Sequence, residues 1–519
     1  MVLITLLFDV RIVFAAIASV IAAYASWLVV QDVRVKKKYR LPPQVPGPPL
    51  IGNIFQMPKT DHGPYLQKLG RQYGEMFTLK FGSTYWVVLN SRRVAHELLE
   101  KRAAIYSSRQ NLPMAHRIVS GEKRILLMPY GDAWRRQRKM MHKVLNSSQQ
   151  GIYKPFQDLE SKALMYQLLV QPETWYLWLG RFSNSVIMSV IFGRRTHPGD
   201  VNLSAVYSAQ EEFVPYMMPG ASIIDAFPIL EKASFLKSFQ PWRRKGDDLY
   251  RRTKKAFLKL IEELESRINA GTQRPCFMTE LIASNDEEKF TREEIAFIAG
   301  TLIEAGTDTT RTSMLSLIAG TAMYPEWVER ARKELDAVCG PNAERLPTFE
   351  DMNKLPMIKA AVKESVRWRP TNAQTGIPHA LTEDDEFEGY RFPAGTVVTW
   401  NNWGISLDSN EYDEAERFSP DRFLDEDLDK VAKGHLGFGA GRRLCVGYNV
   451  AASNLLIVIA RLVYCFDIEQ DPSEPVKVDK PLPFSAEVEP YKVFIKPRSD
   501  AHRRLIMEEC QTAAKIDEQ

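Results

Sequence analysis

The stretch His435-Leu-Gly-Phe-Gly-Ala-Gly-Arg-Arg-Leu-Cys-Val-Gly447 decides how this chain reads. It sets one thiol, Cys445, at the end of a loop with glycines at 437, 439 and 441 and two adjacent arginines. Glycine adopts backbone angles that other residues resist, and it lets a flat ligand come close. Arg442 and Arg443 put fixed positive charge beside the thiol, which favours thiolate. After Gly447 the sequence turns apolar and helical, so Cys445 also lies near a helix N-terminus, whose partial positive charge lowers a thiol pKa. A thiolate in that setting serves as a nucleophile or a metal ligand. No second cysteine lies two to four residues away, which argues against zinc and iron–sulfur sites. The glycine run lacks the last spacing of a dinucleotide fingerprint, and no strand–helix repeat surrounds it.

Outward from this loop, composition sets the bounds. The 519 residues are 45% hydrophobic, enough for an extensive core. A net charge of +4 is too small to point to nucleic acid. The five cysteines, Cys276, Cys339, Cys445, Cys465 and Cys510, are odd in number and far apart, as in a reducing compartment. Residues 12–30 are uncharged and apolar, and a helix of that length spans ~28 Å. Arg34, Lys36, Lys37, Lys38 and Arg40 follow at once, which predicts a cytoplasmic side for the rest. A cleaved signal peptide, the competing reading, would have a shorter apolar core and basic residues first. The expected organisation is a membrane anchor with basic flank over 1–40, a proline-rich hinge over 41–53, a catalytic domain over 54–500, and a loosely ordered polar tail over 501–519. Alternation predicts a small sheet over 73–90 and a hairpin over 390–400; the chain from about 92 to 381 reads as mainly helical.

Three further stretches carry chemistry. Thr291 and Glu294 form a capping box that opens a helix running to about Met323. Its middle, Glu304-Ala-Gly-Thr-Asp-Thr-Thr, is poor in helix formers and predicts a break whose freed groups bind water. Trp134 and Arg138 are four apart on a basic helix and share a face suited to an anion. Arg135, Arg136, Lys139 and Lys143 fall on an outer face suited to an acidic electron donor. Glu364 and Arg367 are three apart and can pair.

Phe438, Gly441, Arg443, Cys445 and Gly447 match Phe-x-x-Gly-x-Arg-x-Cys-x-Gly at every fixed position. This resembles the haem-binding loop of the cytochrome P-450 family. The likeness extends to Trp134-x-x-x-Arg138, to Ala305-Gly306-x-Asp308-Thr309-Thr310 and to Glu364-x-x-Arg367, in the family's order. It implies a mainly α fold with a small β-rich lobe, preceded by a single N-terminal transmembrane helix. It implies haem b as cofactor, with Cys445 as the iron ligand and Trp134, Arg138, His379, Phe438, Gly439, Arg443 and Gly447 around the haem. Asp308 and Thr309 would supply protons during oxygen activation. Glu364, Arg367 and Arg417 would form a structural core under the loop. The activity implied is a monooxygenase that inserts one atom of O2 into a lipophilic substrate, by hydroxylation or epoxidation. Electrons would come from NADPH through a separate NADPH–cytochrome P-450 reductase, with cytochrome b5 as a second donor, at the endoplasmic reticulum membrane. The loops resemble those of fungal secondary-metabolite enzymes. Pocket candidates are Phe297, Leu302, Ala305, Ile377 and Phe484, apolar or small, with no charge partner for the substrate. A haem-thiolate isomerase or dehydratase, and a non-catalytic haem carrier, are the alternatives; neither needs the Asp308–Thr309 pair.

Overall fold

A computed structural model describes residues 2–197, 200–218, 220–232, 240–371, 376–483 and 488–515. Helices dominate. Those that matter for the site are α1 (Val2–Lys38), α2 (Asp132–Leu145), α3 (Gln150–Val170), α4 (Trp175–Phe192), α5 (Val201–Phe213), α6 (Pro241–Asn269), α7 (Arg292–Met323), α8 (Pro356–Trp368), α9 (Tyr448–Cys465) and α10 (Asp500–Ala514). Helix α7 is the axis of the molecule, packing on α4, α6, α8 and α9. Its residues from Ile295 to Ala322 are almost all buried, as expected of a helix apolar on most faces. The capping box forms: Glu294 N donates to Thr291 Oγ1 and Thr291 N to the Glu294 carboxylate.

The expected break in α7 does not occur. The helix is continuous through 304–310, because the hydroxyls of Thr307, Thr309, Thr312 and Ser313 bond back to carbonyls one turn earlier. That local pairing satisfies groups which a broken helix would have had to offer to water.

The β lobe holds a five-stranded sheet in the order β1 (Met76–Phe81), β2 (Thr84–Leu89), β7 (Val397–Trp400), β4 (His379–Ala380), β3 (Ser108–Arg109). The hairpin expected over 390–400 is a different one. Strand β6 (Tyr390–Phe392) pairs with β5 (Asp385–Phe387), while β7 joins β2 in parallel and β4 antiparallel. The turn sits at Glu388 and Gly389, both with positive φ, the two-residue geometry that suits a twisted hairpin. A third sheet pairs β8 (Phe466–Gln470) with β9 (Val493–Pro497).

Both ends of the chain are better tied than the sequence suggests. Helix α1 is long and apolar enough over residues 14–38 to cross a membrane. Its last turns dock on the β lobe, where Asp32 bonds Lys36, Lys80 and Tyr85. The proline segment pairs with β1, through Val45 N to Thr78 O and Thr78 N to Pro43 O. The tail expected to be loose is helix α10, packed on α3. Leu505, Ile506, Cys510 and Ala513 make a buried face, and Ser499 caps it by accepting from His502 N. The polar residues of that stretch occupy its other face, which is why composition alone misreads it.

Candidate active site

The cysteine loop is shaped by its own backbone. Cys445 N donates to Phe438 O at 2.9 Å, and Gly439 N to Leu436 O at 2.9 Å. Gly439 and Gly441 have φ of +79° and +59°. A Cβ at Gly441 would stand 2.0 Å from Leu99 O, so glycine is required there on both counts. Gly447 caps α9, and Cys445 precedes that cap by two residues. Of the five cysteines, all unpaired, Cys445 alone is exposed, yet protein surrounds it, as for a group lining an internal space. Burial raises its thiol pKa, while the Gly447 N–H and Arg138 pull it down. The expected role of Arg442 and Arg443 beside the thiol is not what the fold provides. Arg442 reaches outward to Tyr130 OH, and Arg443 donates to Ser107 O and Met128 O.

A cluster of cations stands beside the loop. Arg138 Nη2 bonds Leu444 O, next to Cys445. Arg443 lies 4.3 Å over the ring of buried Trp134, the residue one turn before Arg138 on α2. Arg109, which the motif reading passed over, belongs here too. It is buried and donates to Leu126 O, Ile377 O and Pro378 O. Burial and Arg443 push the Arg109 pKa well down, and burial with Arg138 brings Arg443 to about 9. All these partners are carbonyls, and among the described residues none of the three arginines is ion-paired. His379 sits on β4 beside Arg109; its Nδ1 contacts Tyr106 O at 2.7 Å and burial holds the ring neutral. His379 Nε2 and Arg443 Nη1 are buried without a partner. Three like charges crowded together with orphaned nitrogens fit a dianionic group, as the two propionates of haem provide.

The structural core forms, with one substitution of place. Glu364 and Arg367 are wholly buried on α8, joined by bonds of 2.7 and 2.8 Å. The third arginine is Arg422, at 3.2 Å from Glu364, and not Arg417. Arg417 turns outward to Glu326, contributing only its carbonyl, which accepts from Arg367. The 3-10 turn Pro420–Phe423 swings the later arginine back, so two arginines in one motif exchange roles. The core reaches the loop through Tyr412, whose ring lies under Arg367 and whose hydroxyl bonds Gly434 O at 2.7 Å.

On α7, Ala305 is exposed although its helix is otherwise buried, and Gly306 and Thr309 are half-buried. These three interrupt an otherwise buried run from Ile295 to Ala322. Thr309 Oγ1 donates to Ala305 O at 2.7 Å, leaving its lone pairs unused. Asp308 is buried; Gln210 Nε2 donates to it at 3.3 Å and Arg311 lies at 3.5 Å. Burial raises its carboxyl to about 6, against the pull of Arg311. Of the pocket candidates, Ala305 and half-buried Ile377 keep open surface. Phe297 does not line a chamber: it is fully buried between Tyr250 and Phe257, at 5.9 and 5.3 Å. Leu302 also lies in the core, and Phe484 is outside the described residues. The basic outer face is thinner than expected. Arg135, Lys139 and Lys143 are exposed, but Arg136 is bound to Glu294 and packed over Phe290.

The family model described as Cytochrome P450 matches residues 42–495 of this chain. The chain belongs to the cytochrome P450 family. It is 33% identical to cytochrome P450 monooxygenase virE of Hypocrea virens, over 94% of this chain and 90% of that protein. It is 32% identical to cytochrome P450 monooxygenase fogE of Aspergillus ruber, over 90% and 89%. A zebra fish cytochrome P450 solved with abiraterone shares the fold, with a TM-score of 0.65 and 24% identity, over 84% of this chain and all of that one. The protein is therefore a P450 monooxygenase with haem as its cofactor, and the mainly helical fold with its small β lobe is the one the motifs implied.

Proposed function

We propose that the Cys445 thiolate would bind the haem iron, that Arg109, Arg138, Arg443 and His379 would hold the haem carboxylates, and that Asp308 and Thr309 would supply protons for O2 activation. The observation that carries this reading is a pair of exposed positions in otherwise packed surroundings: Cys445 beside three carbonyl-bound arginines, and Ala305 one turn before Thr309. When bound, haem supplies the redox chemistry that activates O2. The protein supplies position and protons. Asp308, with its carboxyl near 6, can take and release a proton close to neutral pH. Gln210 steadies that carboxyl, and the Thr309 hydroxyl, already donating to Ala305 O, offers an acceptor beside it. His379, neutral through burial, would gain a proton as a propionate approaches.

The electron donor in this reading is a separate NADPH–cytochrome P-450 reductase, docking on the exposed lysines and arginines of α2. Helix α1 anchors the protein in the endoplasmic reticulum membrane, with the body on the cytoplasmic side. The substrate in this reading is lipophilic and the reaction belongs to fungal secondary metabolism, which the likeness to fungal P450 monooxygenases supports. The isomerase reading is disfavoured by the buried Asp308, whose raised pKa such a catalyst has no use for. Incubating the full chain with reductase, NADPH and O2 tests the proposal: NADPH is consumed with O2 uptake if it is right, and turnover without O2 contradicts it.

A further inference from the structure

A charged pair lies against α7 that the oxygen-handling residues do not use. Arg124, from the loop before α2, is 1% exposed and pairs through Nη1 with the carboxylate of buried Glu304. Glu304 directly precedes exposed Ala305, and its carbonyl accepts from Gln210 at 3.2 Å. The guanidinium lies 3.9 Å over the ring of Phe213 on α5 and 5.7 Å from Phe257 on α6. Loop, α5, α6 and α7 thus meet at one buried cation, where the sequence had pointed to an uncharged pocket.

Arg124 differs from two other wholly buried arginines, Arg367 and Arg461. Arg367 and Arg461 have Nε and both Nη atoms bonded. Arg124 uses only Nη1; its Nε and Nη2 have no partner. Glu304 Oε1, Gln210 Oε1 on the residue that bonds the Glu304 carbonyl, and Thr301 Oγ1 three residues before Glu304 are also buried and unpartnered. Protein interiors pair nearly all such groups, and each one left over is costly. The Nε–H and Nη2–H bonds run parallel, and this is the edge by which a guanidinium takes an oxygen-bearing group in two bonds. Desolvated as it is, that edge would bind an oxygen acceptor strongly and reject a hydrocarbon.

We propose that Arg124 recognises the substrate: its free edge takes a carbonyl or carboxylate oxygen of an otherwise lipophilic molecule, while Glu304 holds the opposite nitrogen. The proposal rests on the reading above that Ala305 and Thr309 face a haem-centred chamber, and it adds the substrate class. Entry of the acceptor would be coupled to movement of Gln210 and Phe213, which cover the pair.

The probes are ω-imidazolyl alkanes of graded chain length, each made with a methyl, methyl ketone or carboxylate end. Imidazole coordinates the iron of the holoenzyme and shifts its Soret band, so the chain end samples the chamber at a set reach. At one chain length the ketone or the acid should bind about ten-fold tighter than the alkyl compound. Arg124→Gln should remove that preference, and Glu304→Gln should strengthen it for the acid by freeing the cation. A fold defect would weaken all three ends alike, so the opposite signs are diagnostic. Equal affinity for all ends at every length, or an undiminished preference in Arg124→Gln, overturns the proposal alone. Protein that carries no haem, or shows no shift with any imidazole, overturns the chamber reading and this proposal with it.

Discussion

The cysteine loop and the middle of helix α7 are built on opposite principles. In the loop, conformation is fixed by backbone. Gly441 fits only as glycine, and Arg443 ties the loop to Ser107 O and Met128 O. Buried Glu364, Arg367 and Tyr412 brace it from behind. In α7, the backbone is an ordinary helix and the side chains are the loose part. Thr309 bonds only its own turn, Asp308 is held by contacts of 3.3 and 3.5 Å, and Thr301 and one oxygen of Glu304 have no partner. A ligand to a metal needs a fixed position, whereas groups that pass protons need partners they can exchange. The difference predicts that substitutions behind the loop cost folding, whereas substitutions on α7 leave folding intact and cost chemistry.

That contrast is open to attack from both sides. Glu364→Ala leaves Arg367 buried beside carbonyls alone, and breaking such a pair costs about 3–5 kcal/mol. Its haem-loaded yield should collapse; normal loading with an unchanged denaturation midpoint would break the claim that the loop is braced from behind. Thr309→Ala should fold and load normally, yet its product formed per NADPH should fall at least about ten-fold, with peroxide released instead. Unchanged coupling would remove the hydroxyl from proton supply.

Asp308→Asn separates stability from chemistry. The carboxyl is raised from 3.8 to about 6 in the folded protein, so its ionised form is the disfavoured one. Its stabilising contribution is present below the unfolded pKa and lost as pH rises through about 6. The Asn variant should therefore be more stable than the parent at pH 8 by about 3 kcal/mol, with the gap closing as pH falls from about 6 through about 4. Its turnover should fall at every pH. The smallest effect belongs to Arg417→Ala, whose exposed pair with Glu326 is worth less than about 0.5 kcal/mol. A loss as large as that of Glu364→Ala would return Arg417 to the core in place of Arg422.

What was legible in the sequence was whatever a short spacing fixes. The cysteine loop, the capped helix and the Glu364–Arg367 pair are local patterns, and they form, though without the break read in the helix or the arginine charges read beside the thiol. What failed depended on distant partners. Arg417 and Arg422 are equally placed in one motif, and only the turn at Pro420 decides between them. Phe297 is apolar on a central helix, but α6 covers it. Arg109, on a strand of two residues, and Arg124, in a loop, stand outside any periodic pattern, and their roles come from carbonyls and a carboxylate more than 15 residues away. Residues 500–514 look like a tail until α3 supplies the surface they bury against.

The central claim is that the sulfur of Cys445 holds the haem iron. The most direct test is the absorption spectrum of reduced, CO-treated protein, measured for the full chain and for Cys445→Ala at matched haem content. The parent should give the band of a thiolate-ligated haem and the variant should lack it entirely. The same band in both proteins would contradict the account.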